Sequence, residues 1–385
     1  MKIAYVGDFV NHGKSLTTTG TALVFLLSTF DSVDSIDVYC PNIDKNIEEI
    51  TLPEKVKVIE TYRYDSSLSL LNLFRLRHLS YDKIIFNMLS TTFGNSSFSN
   101  AFGLCIPIIM VKAFQMQNVE VIYHNSVLTN DVTRLGYTSL YDRFRSRILR
   151  VIEGAIFKNV TTFVLLKLYM ERITSILKEN RVQCLNARYL EAISTVFINE
   201  LQDEETLELS GTNLLPMVLL HGNWGPQKNI ELGIKTLDRI RRDGVDFNLV
   251  ITGGMNHHFP EYEKHFREIL DRYNFACCYK GPVTEKEIFI LFTTSDLLLL
   301  PYNTPGGHSG ILEQAIFFQV PTIAIDFPEY REQAQGKNFV TLCQPDSFYV
   351  EVAKALKNAP SRDRIELRNK VTSALNNMLI LLGGE

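Results

Sequence analysis

The sequence predicts an α/β protein of two doubly wound units, each a parallel sheet covered by helices on both faces. Three observations carry this. Short apolar, β-branched runs alternate with segments of helical period along most of the chain. The runs are apolar on both faces, as strands of a covered parallel sheet are. Stretches bearing glycine, lysine and histidine follow directly after the runs, where such sheets bind ligands. A chain of 385 residues also suits two cores better than one.

In the first half the expected strands are KIAYVG, SIDVYC, KVKVIE, DKIIFNML, VEVIYHN and TTFVLL. Helical segments such as TALVFLLSTF, LSLLNLFRLRHL and SLYDRFRSRILRVIEGAIF separate several of them. The acidic stretch NELQDEETLELSGTN, closed by Gly211, reads as a linker. This sets an N-terminal domain at 1–205, a C-terminal domain at 212–360, and a helix over 361–385 packing back across the domains. The second series runs PMVLLHG, a helix from about Asn229, FNLVITGG, a helix through EYEKHFREILDRY, and ACCYKG as a strand. EKEIFILFTTS, DLLLLPY, SGILEQAIFFQ and PTIAID complete it.

Composition excludes several classes. With Lys plus Arg at 39 and Asp plus Glu at 43, the net charge of −4 argues against nucleic-acid binding by bulk charge. The six cysteines (Cys40, Cys105, Cys184, Cys277, Cys278, Cys343) are scattered and form no C-x-x-C pair, so reduced thiols in a cytoplasmic protein are expected. Asp8 arrives before a signal-peptide apolar region forms, and the longest apolar run, AFGLCIPIIMV, is broken by Pro107 and too short to span a bilayer.

The stretch DFVNHGKSLTTTG imitates a Walker A loop, with Gly13-Lys14-Ser15 as its end. Five residues separate Gly7 from Gly13 where that motif has four, so a P-loop is refused on spacing. A Walker B acid, Asp326 after TIAI, lies far away in the other unit. Gly13 and Lys14 therefore read as a glycine loop after the first strand, and His124-Asn125 as the end of VEVIY.

In PYNTPGGHSGILEQA, Gly306, Gly307 and Gly310 allow close backbone approach, and Ser309 is a natural N-cap for the following helix. The helix start is an anion site suited to a diphosphate, and Glu313, one turn in, suits ribose hydroxyls. The plain alternative is a capped helix with Glu313 solvated. In HGNWGPQKNIELGIK, Lys228 stands just before a helix and can reach a phosphate; otherwise it is a solvated surface lysine. Trp224 either packs on a ligand or closes its loop. No D-x-D lies in a strand-end loop, and His257, His258 and His265 lack metal-ligand spacing, so no metal is expected.

From Pro216 to Asp326 this order of features resembles the nucleotide-sugar domain of GT-B glycosyltransferases, of the retaining family-four type. The matching blocks are GNWGPQKN, LVITGG, YKGPVTEKEIFILFTTSDLLLLPY and SGILEQAIFFQVPTIAID. The resemblance implies a GT-B architecture, two Rossmann-like domains facing across a cleft. It also implies an enzyme moving a sugar from a nucleotide-diphosphate sugar, such as a UDP or GDP sugar, to a glycan, lipid-linked or small-molecule acceptor. That reaction would be metal-independent and retaining, with no cofactor beyond the donor.

Lys228 would contact the donor diphosphate and, with His124, act in catalysis. Ser309 and Gly310 would offer amides to the phosphates, and Glu313 would hold the ribose. Asn223, Gly253, Gly254, Gly281 and Val283 would lie along the nucleotide, Gly307 and His308 along the donor sugar, and Gly13 and Lys14 opposite the diphosphate. Two departures stand out. Asn223-Trp224 occupies the place of the family's arginine, and Pro305 that of a sugar-contacting glutamate. A non-catalytic nucleotide-sugar binder, or an epimerase or phosphorylase of the same fold, are the alternatives.

YDRFRSRILRVIEGAIF sets Arg143, Arg147 and Arg150 on one helical face and Phe144, Ile148, Val151, Ile152 and Ile156 on another. It reads as a core helix with a solvated basic face. The other reading is a peripheral contact with anionic lipid at the inner membrane face.

Overall fold

The computed structural model describes residues 1–9, 15–42, 52–94, 96–130, 133, 139–185, 215–256, 259–305 and 307–358, leaving aside the side chains of 15–18, 285 and 286. Gly13, Lys14, Gly306, His257, His258, the linker after residue 200 and the expected helix over 361–385 lie outside the described residues. The chain divides into two compact units, each with its own sheet.

The first unit contains β1 (Lys2–Val6), α1 (Ser15–Ser28), β2 (Ser35–Pro41), β3 (Val56–Tyr62) and a 3-10 segment Ser67–His78. It continues with β4 (Lys83–Met88), α2 (Ser97–Lys112), β5 (Val119–Tyr123), α3 (Leu140–Asn159), β6 (Thr161–Val164), α4 (Lys167–Ile176) and β7 (Val182–Cys184). Its seven strands, in the order β3-β2-β1-β4-β5-β6-β7, are paired in parallel throughout. The order reverses between β1 and β4, which makes their carboxyl ends the switch point of the sheet.

The second unit contains β8 (Met217–His221), α5 (Ile230–Arg242), β9 (Asn248–Thr252), α6 (Tyr262–Arg272), α7 (Glu285–Thr294) and β10 (Leu297–Leu300). It closes with α8 (Gly310–Phe317), β11 (Thr322–Ile325), α9 (Pro328–Gln333), β12 (Val340–Cys343) and α10 (Phe348–Lys357). Its parallel order is β12-β11-β10-β8-β9, with the switch between β8 and β10.

The local causes are visible in the sequence. All four residues of β10 (LLLL) and of β11 (TIAI) are buried, because helices cover both faces. α5 presents Ile230, Ile234, Leu237 and Ile240 at helical spacing to the core and ends in Arg239, Arg241 and Arg242, which suit its negative end. Capping boxes start α3 (Ser139 with Asp142) and α7 (Thr284 with Glu287).

Three expectations need correction. ACCYKG is not a strand: Ala276–Cys278 is a short 3-10 turn, with only Tyr279 bridging to Ile251. LSLLNLFRLRHL coils as a 3-10 segment, burying Leu70, Leu73 and Leu76 at the three-residue period of that helix. The apolar set on α3 splits. Ile152 and Ile156 join the core, whereas Phe144, Ile148 and Val151 point into solvent, because the core-facing arc is set by Leu149, Ile156 and Phe157. AFGLCIPIIMV lies within α2, with Pro107 inside the helix.

A close backbone contact in the second unit joins the loops after β8 and β9. Gly253 has φ +108°, and a Cβ on it would lie 1.8 Å from the Gly222 carbonyl oxygen. Only glycine fits there. Trp224, 1% exposed, closes the same joint by donating from Nε1 to the Thr252 carbonyl at 3.0 Å and from its amide to Gly254 O at 2.8 Å. Trp224 is thus a loop-closing core residue. Gly253→Ala is expected to destabilise the protein by at least about 3 kcal/mol, combining a left-handed φ with a backbone clash. Chemical denaturation checks this; a loss below about 1 kcal/mol would show that the joint yields.

Candidate functional site

Three loops meet at the carboxyl ends of β8, β9 and β10. After β8 the chain passes Gly222 and exposed Asn223, then makes the 3-10 turn Pro226–Lys228, ending in the left-handed Asn229 (φ +44°). The loop after β10 grips this turn, with the Asn303 amide donating to Gln227 O at 2.9 Å. Lys228 Nζ sits 3.8 Å from the centroid of the Tyr302 ring, a cation–π distance. A Cβ on Gly222 would lie 3.4 Å from Ile311 Cδ1, 3.7 Å from Tyr302 Oη and 3.9 Å from Lys228 Cε. Gly222, Tyr302, Lys228 and the first turn of α8 therefore converge on one spot at the switch point.

Gly253 and Gly254 adjoin the turn Lys280–Val283. The Gly253 amide donates to Gly281 O at 2.7 Å, Tyr279 Oη donates to Gly253 O at 2.9 Å, and a Cβ on Gly254 would lie 3.7 Å from Pro282 Cγ. Gly281 has φ +76°, and Val283 is half-buried.

At α8, Ser309 is the N-cap, its Oγ accepting from the Leu312 amide at 3.3 Å. Its own amide is already engaged. It donates to Gln333 Oε1 at 3.0 Å, while Gln333 Nε2 donates to Ser309 O at 3.1 Å. The anion-facing amides at this helix start are consequently those of Gly310 and Ile311, and Gln333 on α9 is a supporting residue that sequence reading missed. Glu313 is 5% exposed, so the solvated alternative does not describe it. His308 Nε2 lies 3.5 Å from Glu313 Oε2. Burial holds the His308 imidazole down to about 4, which makes this a polar contact with a neutral ring at neutral pH. Gly307, with φ +124°, precedes it. Asp326 is taken by Arg331 through two hydrogen bonds of 2.6 and 2.5 Å, an arrangement that leaves it a structural partner of α9.

Two buried polar atoms of these loops, Tyr302 Oη under Lys228 and Gln227 Oε1, have no hydrogen-bond partner among the described residues. Such atoms are uncommon in folded proteins, and a water, an ion or a polar ligand can complete their bonding.

At the switch point of the first unit, His124 is 6% exposed and its Nε2 lies 2.6 Å from Asn87 Oδ1. Asn87 Nδ2 donates to Tyr5 Oη at 2.9 Å, and Tyr5 Oη donates to Asp8 O at 3.1 Å. This chain orients the amide so that its oxygen accepts from His124, fixing the imidazole proton on Nε2. The following loop is anchored by Glu153 of α3, fully buried, which accepts from Tyr123 Oη (2.8 Å), Ser126 Oγ (2.5 Å), Val127 N (3.1 Å) and Leu128 N (3.2 Å). Burial pushes its carboxyl up to about 7 against the pull of those four donors.

His221, whose Nδ1 lies 2.8 Å from Thr252 Oγ1, is likewise held down to about 4, by burial and then by the Lys228 charge. Below the ordinary imidazole value of 6.5 the unfolded chain binds protons that folded His221 and His308 refuse. Their contribution to stability is therefore full above that pH and declines as pH falls towards 4, by about 1.4 kcal/mol per pH unit for each. A His221→Gln/His308→Gln variant is expected to show a shallower acid limb in pH-resolved denaturation. Glu153 titrates in both proteins, so the difference between them isolates the two imidazoles. Superimposable limbs would contradict the assignment.

No family model matches the sequence, and no curated protein matches it significantly. Solved structures do. Sucrose-phosphate synthase from Thermosynechococcus elongatus is 14% identical, with 99% of this chain and 95% of that one covered at a TM-score of 0.66. WaaG, a glycosyltransferase involved in lipopolysaccharide biosynthesis, gives 13%, 99%, 100% and 0.62 in the same order. Anabaena HepE in complex with UDP and glucose gives 12%, 98%, 100% and 0.60. At these identities the likeness is one of fold: two parallel α/β sheets in the GT-B architecture of these glycosyltransferases.

Proposed function

We propose that the protein is a glycosyltransferase that transfers a sugar from a nucleotide-diphosphate sugar to a glycan, lipid-linked or small-molecule acceptor. The observation that carries this reading is the convergence of Lys228, the orphaned Tyr302 hydroxyl and the start of α8 at the switch point of a GT-B sheet. Related folds include HepE, solved with UDP and with UDP-glucose, which makes UDP-glucose the first donor to try.

In this reading, breaking the bond between the anomeric carbon and the diphosphate leaves negative charge on the departing phosphate. Lys228 and the Gly310 and Ile311 amides stabilise it without a metal, by groups already fixed in place. Glu313 accepts hydrogen bonds from the ribose hydroxyls, and Gly253, Gly254, Gly281 and Val283 border the base. We assign Gly307 and His308 to the donor sugar, and keep for His124 the catalytic part the resemblance implies. Retention at the anomeric carbon and the absence of any cofactor belong to the same proposal. Pro305 supports a second reading, binding of the nucleotide sugar without turnover, because it supplies no carboxylate to the sugar.

Two variants test the assignment. Lys228→Ala is expected to lower turnover by roughly 2–4 kcal/mol in barrier, the scale of losing one fixed oxyanion donor. Wild-type rates would remove Lys228 from the mechanism. Glu313→Gln is expected to weaken UDP and UDP-glucose together by about tenfold or more, as loss of a charge-assisted hydrogen bond does. Calorimetric titration reads this, followed by GDP and ADP sugars if UDP fails; unchanged affinity would break the ribose assignment.

A further inference from the structure

The outer face of α3 has no part in the site described above. Leu140 (81% exposed), Tyr141 (61%), Phe144 (63%), Ile148 (41%) and Val151 (74%) all fall on one arc of about 100° when spaced at 3.6 residues per turn. The core-facing residues Leu149, Glu153, Ile156 and Phe157 occupy the opposite arc. α3 thus carries two apolar stripes, and one of them is in water. Phe98, 71% exposed, extends the outer stripe, since Ser97 Oγ and Tyr141 Oη are 2.8 Å apart.

Charge tells what covers it. Arg143, Arg147 and Arg150 border the stripe on one side and Arg145 on the other. Of the two acids on the helix, Asp142 is taken by its capping box and Glu153 is buried. This basic surface belongs to a chain whose net charge is −4. A second copy laid on the stripe would bring its own arginines against these. An anionic bilayer matches both features, accepting the apolar side chains below the headgroups and pairing the arginines with lipid phosphates. Among the described residues no helix is long and apolar enough to cross a membrane, so the contact is one of lying in the interface.

We propose that α3 docks the protein onto anionic membranes through this outward stripe and its flanking arginines. The inference stands apart from the catalytic reading and does not need it. Co-sedimentation of the full chain tests it, with phosphatidylcholine vesicles against vesicles containing about one-third phosphatidylglycerol. The wild type is expected to pellet with the anionic vesicles and to be released by salt. Arg143→Gln/Arg147→Gln is expected to lower the partition coefficient about 25-fold, roughly fivefold per arginine. Phe144→Gln/Val151→Gln is expected to lower it by about tenfold or more while leaving salt sensitivity in place. Because the replaced side chains are exposed, both variants should keep the wild-type circular dichroism and melting. Absence of the wild type from the anionic pellet, or variants that partition like it, would overturn the proposal. So would a wild-type dimer in solution that the Phe144→Gln/Val151→Gln variant breaks, since the stripe would then belong to a second copy.

Discussion

The contact between Gly222 and Gly253 is the constraint on which the second unit's site depends. A pair of adjacent parallel strands would ordinarily let its two exit loops diverge. Here the lack of a side chain on Gly253 lets its backbone touch that of Gly222, and Trp224 locks the joint from beneath through Thr252 O and Gly254 O. With the β8 loop held down, its next residues have little choice of path. They turn through Pro226–Lys228 onto α5, and the Asn303 amide catches Gln227 from the β10 side. Lys228 is delivered over the Tyr302 ring as a consequence of backbone packing. A lysine placed this way loses less rotamer freedom when an anion arrives, which is the physical content of preorganisation.

The first unit reaches a similar end by a different device. Its switch point is held by polar groups: Tyr5, Asn87 and His124 form a hydrogen-bonded series across β1, β4 and β5. Glu153 then ties the loop beyond His124 to α3. Such buried polar groups are costly unless fully satisfied. Asn87 and Glu153 each have several partners, so the network specifies one arrangement of the imidazole. In both units the sheet edge is fixed from below, in one by glycine contact and in the other by hydrogen bonds.

The strand-and-helix alternation was legible because parallel strands buried on both faces leave a continuous apolar signal, and nearly every such run became a strand. Where the signal failed, the physics differed. ACCYKG is apolar, but it forms a turn that packs Phe275 and Tyr279 instead of a ladder, and β7 and β12 are only partly buried and so lack a continuous apolar run. The glycine-bearing loops were visible because their chemistry is local. Gln333 and Asn87 were not, since each acts on a residue distant in sequence and carries no pattern of its own. Glu153 left a faint trace, a single acid on the core-facing arc of an otherwise apolar turn. The exposure of Phe144, Ile148 and Val151 was hidden as well, because helical period locates a stripe without saying which stripe meets the sheet.

Electrostatics then narrows what the second unit's site can hold. Burial keeps His221 and His308 neutral at neutral pH, although both lie in the loops that surround it. Positive potential there comes from the fixed charge of Lys228 and the partial charges of the first turn of α8. Neither imidazole adds charge to it at neutral pH. Such a potential suits an anion such as a diphosphate. The neutral His308 beside Glu313 fits the same logic, because a protonated ring would neutralise the carboxylate that ribose hydroxyls are proposed to meet. In the proposed reading Lys228 serves the phosphates and Glu313 the ribose hydroxyls, from two elements at the carboxyl ends of one sheet.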